Sequence, residues 1–311
     1  MNLLSLTGGL GNQLFQFAVG IYVSKGKELR IIGSLGNPRL NENGSPQILD
    51  YELPKFSQFI AAPRYLFTQK VAGYALRSSI APRSFEQKRF FDTPKKYFQN
   101  LILSLYFKSN IEVLTSKDVG YSPLNVRENN LIIGYFQTFK WANDPFTLGH
   151  LNSLKLKNPD RIFPLITAPC DRRLIVHVRR GDYRIEPKFG CLSLQYYKDA
   201  VSSILNKQVI ESIWFFSDEI LDLSQILPND LNSKIEIADY SNSKFTPIEN
   251  LELMKYGKYY IIGNSSFSWW GAFLSKSSAP HVIAPHPWFR SLPEPVDLIP
   301  NNWFRRHAIF E

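Results

Sequence analysis

From residue 174 onward the chain alternates short apolar runs with amphipathic stretches. No other feature of its 311 residues restricts the fold as strongly. Residues 174–178, 212–216, 234–238, 259–262 and 281–284 read as strands, and 193–205, 247–255 and 266–275 as helices. Ser193 stands where a helix N-cap belongs, and Thr246-Pro247 opens the next helix. Strands separated by helices pair in parallel, and the helices cover both faces of the sheet. Such a sheet takes its ligand at the carboxyl ends of its strands.

The first half is less regular. Residues 2–6 read as a strand, 12–24 as a helix, 29–32 as a second strand and 131–137 (LIIGYFQ) as a buried strand. Residues 34–54, rich in glycine and proline, read as irregular chain, and 55–110 as mostly helical with breaks at its prolines. A polar stretch at 150–172 carries Pro159, Pro164 and Pro169. The expected division is a domain at 1–160, with a basic helical insertion at about 55–110, and a second domain at 161–311.

Composition excludes several classes. Two cysteines, Cys170 and Cys191, cannot staple a secreted scaffold, and a reduced, cytoplasmic protein fits better. No apolar run of about 18 residues is present to span a membrane, and residues 1–17 lack the basic leader of a signal peptide. The net charge of +9 points to an anionic partner. Residues 55–110 hold ten basic and two acidic side chains, with aromatics between them. That segment is either a set of helices with a solvated basic face or a contact for an anionic membrane surface. No RNA-binding or zinc-finger signature favours nucleic acid.

Four strings carry candidate chemistry. His177-Val178-Arg179-Arg180-Gly181-Asp182-Tyr183 sits at a strand's carboxyl end, and is either an arginine fork for phosphate with Asp182 holding a guanidinium in place or a surface Arg–Asp pair. Gly263-Asn264-Ser265-Ser266-Phe267-Ser268 crowds hydroxyls at a helix N-terminus, which is either an anion site or a plain serine cap. Gly8-Gly9-Leu10-Gly11-Asn12-Gln13 lets backbone approach a ligand, though its spacing is not the dinucleotide-binding one. Phe216-Ser217-Asp218-Glu219 places two acids at a strand end, for a base or ribose or merely for capping. No D-x-D pair and no metal-spaced histidines occur, so no metal site is expected. Cys191 reads as a buried thiol.

Taken in order, GGLGNQLFQ (8–16), GYFQ (134–137), HVRRGDY (177–183), FSDE (216–219) and NSSFSWWGAFLS (264–275) resemble the α-1,2-fucosyltransferases of glycosyltransferase family 11, in a bacterial form. The resemblance implies an α/β, GT-B-like pair of Rossmann-like domains facing a cleft. It implies inverting transfer of L-fucose from GDP-β-L-fucose to the 2-hydroxyl of a terminal galactose in surface polysaccharide synthesis. The acceptor would be an oligosaccharide or lipid-linked glycan, and the enzyme would sit in the cytoplasm or at the inner face of its membrane. GDP-fucose is then a co-substrate, and no cofactor or metal is needed.

Carried over by the resemblance, Arg179 grips the diphosphate with Arg180 beside it, and His177 and Asp218 lie near guanine and ribose. Ser265, Ser266 and Ser268 bind phosphate, Asn264 belongs to the GDP-fucose-binding set with them, and Gly9, Gly11 and Gln13 shape the glycine loop that presents Asn12 to the sugar and acceptor. Glu186 and Asp182 are the general-base candidates. A fucosyltransferase acting on a protein or another glycan, or a non-catalytic glycan-binding protein, are the competing readings.

Overall fold

A computed structural model describes residues 1–33, 37–60, 112–115, 119–166, 171–241 and 243–311. The expected α/β class holds: the chain forms two compact units, each built on a wholly parallel sheet. The first unit comprises Met1–Lys157 with Pro295–Leu298, and the second Asn158–Glu294 with Ile299–Glu311. Most of the basic stretch, and Cys170, lie outside the described residues.

The first unit's sheet contains β1 (Asn2–Ser5), β2 (Leu29–Ile32), β4 (Ser57–Phe59), β5 (Glu112–Leu114) and β6 (Asn130–Ile132), in the order β4-β2-β1-β6-β5. A separate antiparallel pair joins β3 (Tyr51–Glu52) to β7 (Lys155–Leu156). Helix α1 (Leu10–Ser24) buries Leu14, Phe17, Ala18 and Ile21 almost completely. These are the positions that the 3.6-residue period brings to one face. Short helices α2 (Phe139–Ala142) and α3 (Pro145–Asn152) follow β6, capped by the side chains of Thr138 and Asp144.

Two expectations change in this unit. Residues 57–59, inside the stretch read as helical, form a strand. The run 131–137 does not continue as one strand, because β6 ends at Ile132. Beyond it Gly134 has φ 155° and buried Phe136 has φ 53°, so the chain turns out of the sheet. A left-handed non-glycine residue costs on the order of 1–3 kcal/mol, and Phe136 offsets that by burying its ring edge-on against Trp141 at 5.5 Å.

The second unit's sheet runs β10-β9-β8-β11-β12-β13. Its strands are β8 (Arg173–Val178), β9 (Ser212–Ser217), β10 (Glu236–Asp239), β11 (Tyr259–Ile262), β12 (His281–His286) and β13 (Phe304–His307). Numbered from β8, this is the doubly wound order 3-2-1-4-5-6, whose direction reverses between β8 and β11. Helix α4 (Leu194–Leu205) is capped by Ser193 as expected, and it buries Tyr196, Tyr197, Ala200, Val201 and Ile204 against the sheet. Helix α5 (Pro247–Met254) begins with a full capping box between Thr246 and Glu249. It packs on α6 (Ser266–Phe273) through Gly271, where an added Cβ would lie 2.9 Å from Met254 Cβ.

Candidate active site

The reversal of strand order makes neighbours of two sequence motifs about ninety residues apart. Ile262 pairs with His177 across β8 and β11, and the Gly263 amide donates to the His177 carbonyl at 3.0 Å. Beyond that bond the strands part. Arg179 leaves on one side and the N-terminus of α6 begins on the other. Gly263 is required here, because a Cβ would meet the Tyr197 hydroxyl at 2.8 Å and the Arg179 amide at 3.4 Å. Tyr197, which the sequence reading missed, rises from α4 to lie under the fork. Burial drives its phenol pKa well above the ordinary value, so it stays protonated.

Arg179 is held by two carboxylates. Its Nη2 donates to Asp182 Oδ1 at 2.5 Å, and its Nη1 pairs with Asp218 Oδ2 at 2.9 Å. Asp218 also accepts the Arg180 amide at 2.9 Å on its other oxygen. Asp218 was expected near guanine and ribose; both of its oxygens also bond the arginine turn, which fixes the orientation of Arg179. That contact needs Gly181, where a Cβ would fall 2.4 Å from Asp218 Oδ2.

Arg180 is more deeply buried. Its Nη2 reaches Glu311 at 2.8 Å and its Nε lies 3.7 Å from Glu219, which also pairs with Arg184 at 2.9 Å. No sequence signal points to Glu311, which arrives at Arg180 through a backbone bond from its own amide to the Cys191 carbonyl at 2.9 Å. Cys191 is free and buried, and burial lifts its thiol to about 11, so it is uncharged at neutral pH.

His177 is buried beside Phe267, with ring centroids 5.7 Å apart. Burial first, and the Arg179 charge second, lower its pKa to about 3, so the imidazole is neutral at physiological pH. Asn264, fully buried, donates through Nδ2 to the carbonyls of Gly190 at 2.9 Å and Phe189 at 3.2 Å. It thereby ties the α6 entry to the loop after the arginine turn. Ser265 caps α6 by accepting the Phe267 amide. Ser268 was expected to bind phosphate, but its buried hydroxyl donates back to the Ser265 carbonyl at 3.2 Å. Ser266, half-buried at the first helical position, is the serine of the three positioned to meet a ligand.

Four buried side-chain atoms on these two strand ends have no hydrogen-bond partner in another described residue: His177 Nδ1, Arg179 Nε, Arg180 Nη1 and Asn264 Oδ1. Buried polar groups are nearly always satisfied by protein, ordered water or ligand, and these four cluster where the strand order reverses. A cationic guanidinium suits an anion, as does a helix N-terminus. Among the described residues no group of three or more metal-ligating side chains occurs. Glu186 lies in the loop beyond Asp182, where its Oε1 accepts the Lys188 amide at 3.4 Å.

The glycine loop belongs to the first unit. Gly8 adopts φ +72°, and a Cβ there would lie 2.6 Å from Asn12 Nδ2. Gly9 precedes α1 as its N-cap without a side-chain cap, and Gly11 is buried in its first turn. Gln13 is wholly buried. Its Nε2 donates to the carbonyls of Gly8 and Arg39, and its Oε1 accepts the Ile48 amide. It stitches the loop together and presents nothing to a ligand. Asn12 is half-buried, and its Oδ1 accepts from Gln137 Nε2 at 2.9 Å.

Residues 7–291 match the family model of glycosyl transferase family 11. An α-1,2-colitosyltransferase of Escherichia coli is 26% identical over 96% of this chain and 97% of its own length. The O-antigen biosynthesis glycosyltransferase WbnK of Escherichia coli is 25% identical over 91% and 93%. Among solved structures, the fucosyltransferase NodZ from Bradyrhizobium aligns over 88% of this chain and 93% of its own, with 12% identity and a TM-score of 0.46.

Proposed function

The chain belongs to glycosyl transferase family 11, and we propose that it transfers L-fucose from GDP-β-L-fucose to the 2-hydroxyl of a terminal galactose, with inversion, in O-antigen synthesis. One observation carries the donor half of this reading. The chain that carries Arg179 and the segment that opens α6, the two elements able to hold an anion, adjoin at the strand-order reversal of the second unit, where a Cβ on Gly263 would lie 3.4 Å from the Arg179 amide. The relatives named for α-1,2-colitosyl transfer and for O-antigen biosynthesis support the linkage and the setting.

In this reading the leaving diphosphate lies at the ends of β8 and β11. As the sugar–phosphate bond breaks, charge develops on the diphosphate, and preorganised donors stabilise it there without reorganising. Arg179 supplies its charge and guanidinium hydrogens. Asp182 and Asp218 fix the plane of its guanidinium, so little side-chain freedom is lost on binding. The Ser266 amide and hydroxyl add neutral donors at the positive end of α6. His177, uncharged, contributes a hydrogen bond to the nucleotide rather than a proton to the reaction. No metal is required for this charge stabilisation. The acceptor hydroxyl attacks the face opposite the departing GDP.

Colitosyl transfer is the second reading, favoured by the relative so named. Incubating the purified protein with galactosides and either GDP-fucose or nucleotide-activated colitose, followed by NMR assignment of the linkage, separates the two. Transfer of fucose to O2 of galactose is expected. Efficient use of colitose alone, or a linkage to another hydroxyl, overturns the proposal. Among the described residues no helix is long and apolar enough to cross a membrane. Attachment at a membrane surface through the basic stretch at 55–110 remains part of the proposal.

A further inference from the structure

The plane of the Arg179 guanidinium is fixed by Asp182 and Asp218, and both carboxylates are in turn set by the backbone of Arg180. The Arg180 amide donates to Asp218 Oδ1 at 2.9 Å. The Arg180 carbonyl accepts the amides of Tyr183 at 2.8 Å and Arg184 at 3.2 Å, which closes the short 3-10 turn Gly181–Arg184 that carries Asp182. A shift of Arg180 therefore moves both partners of Arg179 together. What anchors Arg180 is its own side chain, which is buried and brings a permanent positive charge into the interior. A buried cation is held there only where anions balance it.

Glu311 supplies that balance at close range. Arg180 Nη2 donates to Glu311 Oε2 at 3.1 Å and lies 2.8 Å from Oε1. Glu219 stands farther off, 3.7 Å from Arg180 Nε, and is shared with Arg184 at 2.9 Å. The fold is built to deliver Glu311. The Ser193 amide donates to the Ile309 carbonyl at 2.8 Å and the Glu311 amide to the Cys191 carbonyl at 2.9 Å, with Leu192 and Phe310 paired between them. Gly190 takes φ +76° beside Phe310, where a Cβ would lie 2.7 Å from the ring. All of these residues belong to the second unit. We infer that Glu311 is a positioning residue of the anion site, which acts through Arg180 to fix the turn that orients Arg179. The inference rests on the donor half of the reading above and deepens it. The sign of the effect is distinctive. A carboxylate beside the arginine turn repels an incoming anion, so by Coulomb's law alone its removal would tighten binding. Positioning requires the reverse.

The test is Glu311→Gln, which keeps the shape and drops the charge. Calorimetric titration with GDP and with inorganic diphosphate should show both bound about fivefold more weakly, or worse, than by the wild type. In an Arg180→Leu background the same substitution should change affinity by less than about twofold, because its route of action is gone. Unchanged or tighter binding by Glu311→Gln overturns the inference. So does a loss that persists at full size in the Arg180→Leu background, which would mark a merely structural role. The positioning is also read without any ligand and without Arg180→Leu, from the hindered rotation of the Arg179 guanidinium in nitrogen NMR. That rotation should quicken in Glu311→Gln, and rotation as slow as in the wild type overturns the inference. A wild-type protein that binds diphosphate but not GDP refutes the nucleotide reading alone. One that binds neither refutes the donor site, and the inference falls with it.

Discussion

His177 should make the second unit sensitive to acid, and the size of the effect follows from its burial. In the unfolded chain an imidazole titrates near pH 6.5, whereas in the fold it titrates at about 3. Between those values the unfolded state binds the proton and the folded state does not. Stability therefore falls as pH drops below about 6.5 and stops falling from this cause near pH 3. Each pH unit inside the window costs about 1.4 kcal/mol, so pH 5 removes about 2 kcal/mol relative to pH 7.5. For a unit of this size that is a drop of about 4–8 °C in Tm. The control is His177→Phe, which keeps an aromatic ring beside Phe267 and has nothing to protonate. Its larger ring carries a repacking cost, but that cost is the same at both pH values and cancels in the difference. Urea unfolding of both proteins at pH 7.5 and 5.0 gives the comparison. The variant should gain about 2 kcal/mol on the wild type between the two conditions. A gap that is the same at both pH values would refute the buried neutral imidazole.

Arg179→Lys keeps the charge and loses the fork; with a truncated charged contact worth on the order of 2–5 kcal/mol, transfer should fall roughly 30-fold or more while Tm holds. Near-normal turnover would remove the phosphate grip. Gly181→Ala drives a methyl into Asp218 Oδ2, so donor affinity measured by calorimetry should weaken more than acceptor affinity; equal weakening would show that Asp218 does not act through Arg179. Transfer should persist in EDTA, and activity that returns only on adding a divalent ion would contradict charge stabilisation by Arg179 and α6. Glu186→Gln should lose transfer while keeping GDP affinity if Glu186 takes the acceptor proton; full transfer by Glu186→Gln together with loss of GDP binding in Asp182→Asn would leave neither carboxylate as the base.

The second unit was legible because its signals are local. Tyr196, Tyr197, Ala200, Val201 and Ile204 fall on one helical face, Ser193 and Thr246 cap their helices, and β8 and β11 carry the apolar runs 174–176 and 259–262. The elements that escaped lack such signals. β13 is Phe-Arg-Arg-His on an outer edge with Phe304 exposed, so it shows neither alternation nor an apolar core face. β6 failed for the opposite reason. LIIGYFQ is apolar throughout, and periodicity cannot reveal that Gly134 and Phe136 take positive φ. Gln13 reads as shaping the glycine loop, yet two of its three backbone partners, at residues 39 and 48, are distant in sequence and invisible to motif reading.

The sharpest limit of sequence reading lies in the pair Arg179-Arg180, which no local rule distinguishes. Strand register separates them. Val178 pairs with Ser217, so the residues that follow each strand emerge side by side. Two consecutive arginines then meet two consecutive acids, Asp218 on Arg179 and Glu219 on Arg180. Glu311 adds a second carboxylate to Arg180, whose guanidinium becomes the more buried of the two and joins the arginine turn to the last strand's end. Asp182, the more exposed acid, completes Arg179. The two cations are thereby given different work by their surroundings. Arg180 is braced by Glu311 and Glu219, and Arg179 is fixed by Asp182 and Asp218 with its buried Nε unpartnered among the described residues. A guanidinium fixed in plane by two carboxylates still carries its full positive charge, because arginine does not deprotonate. In the proposed transfer, a diphosphate reaching this guanidinium would meet a donor whose orientation has already been set, which is the condition under which electrostatic stabilisation costs least at the moment of bond breaking.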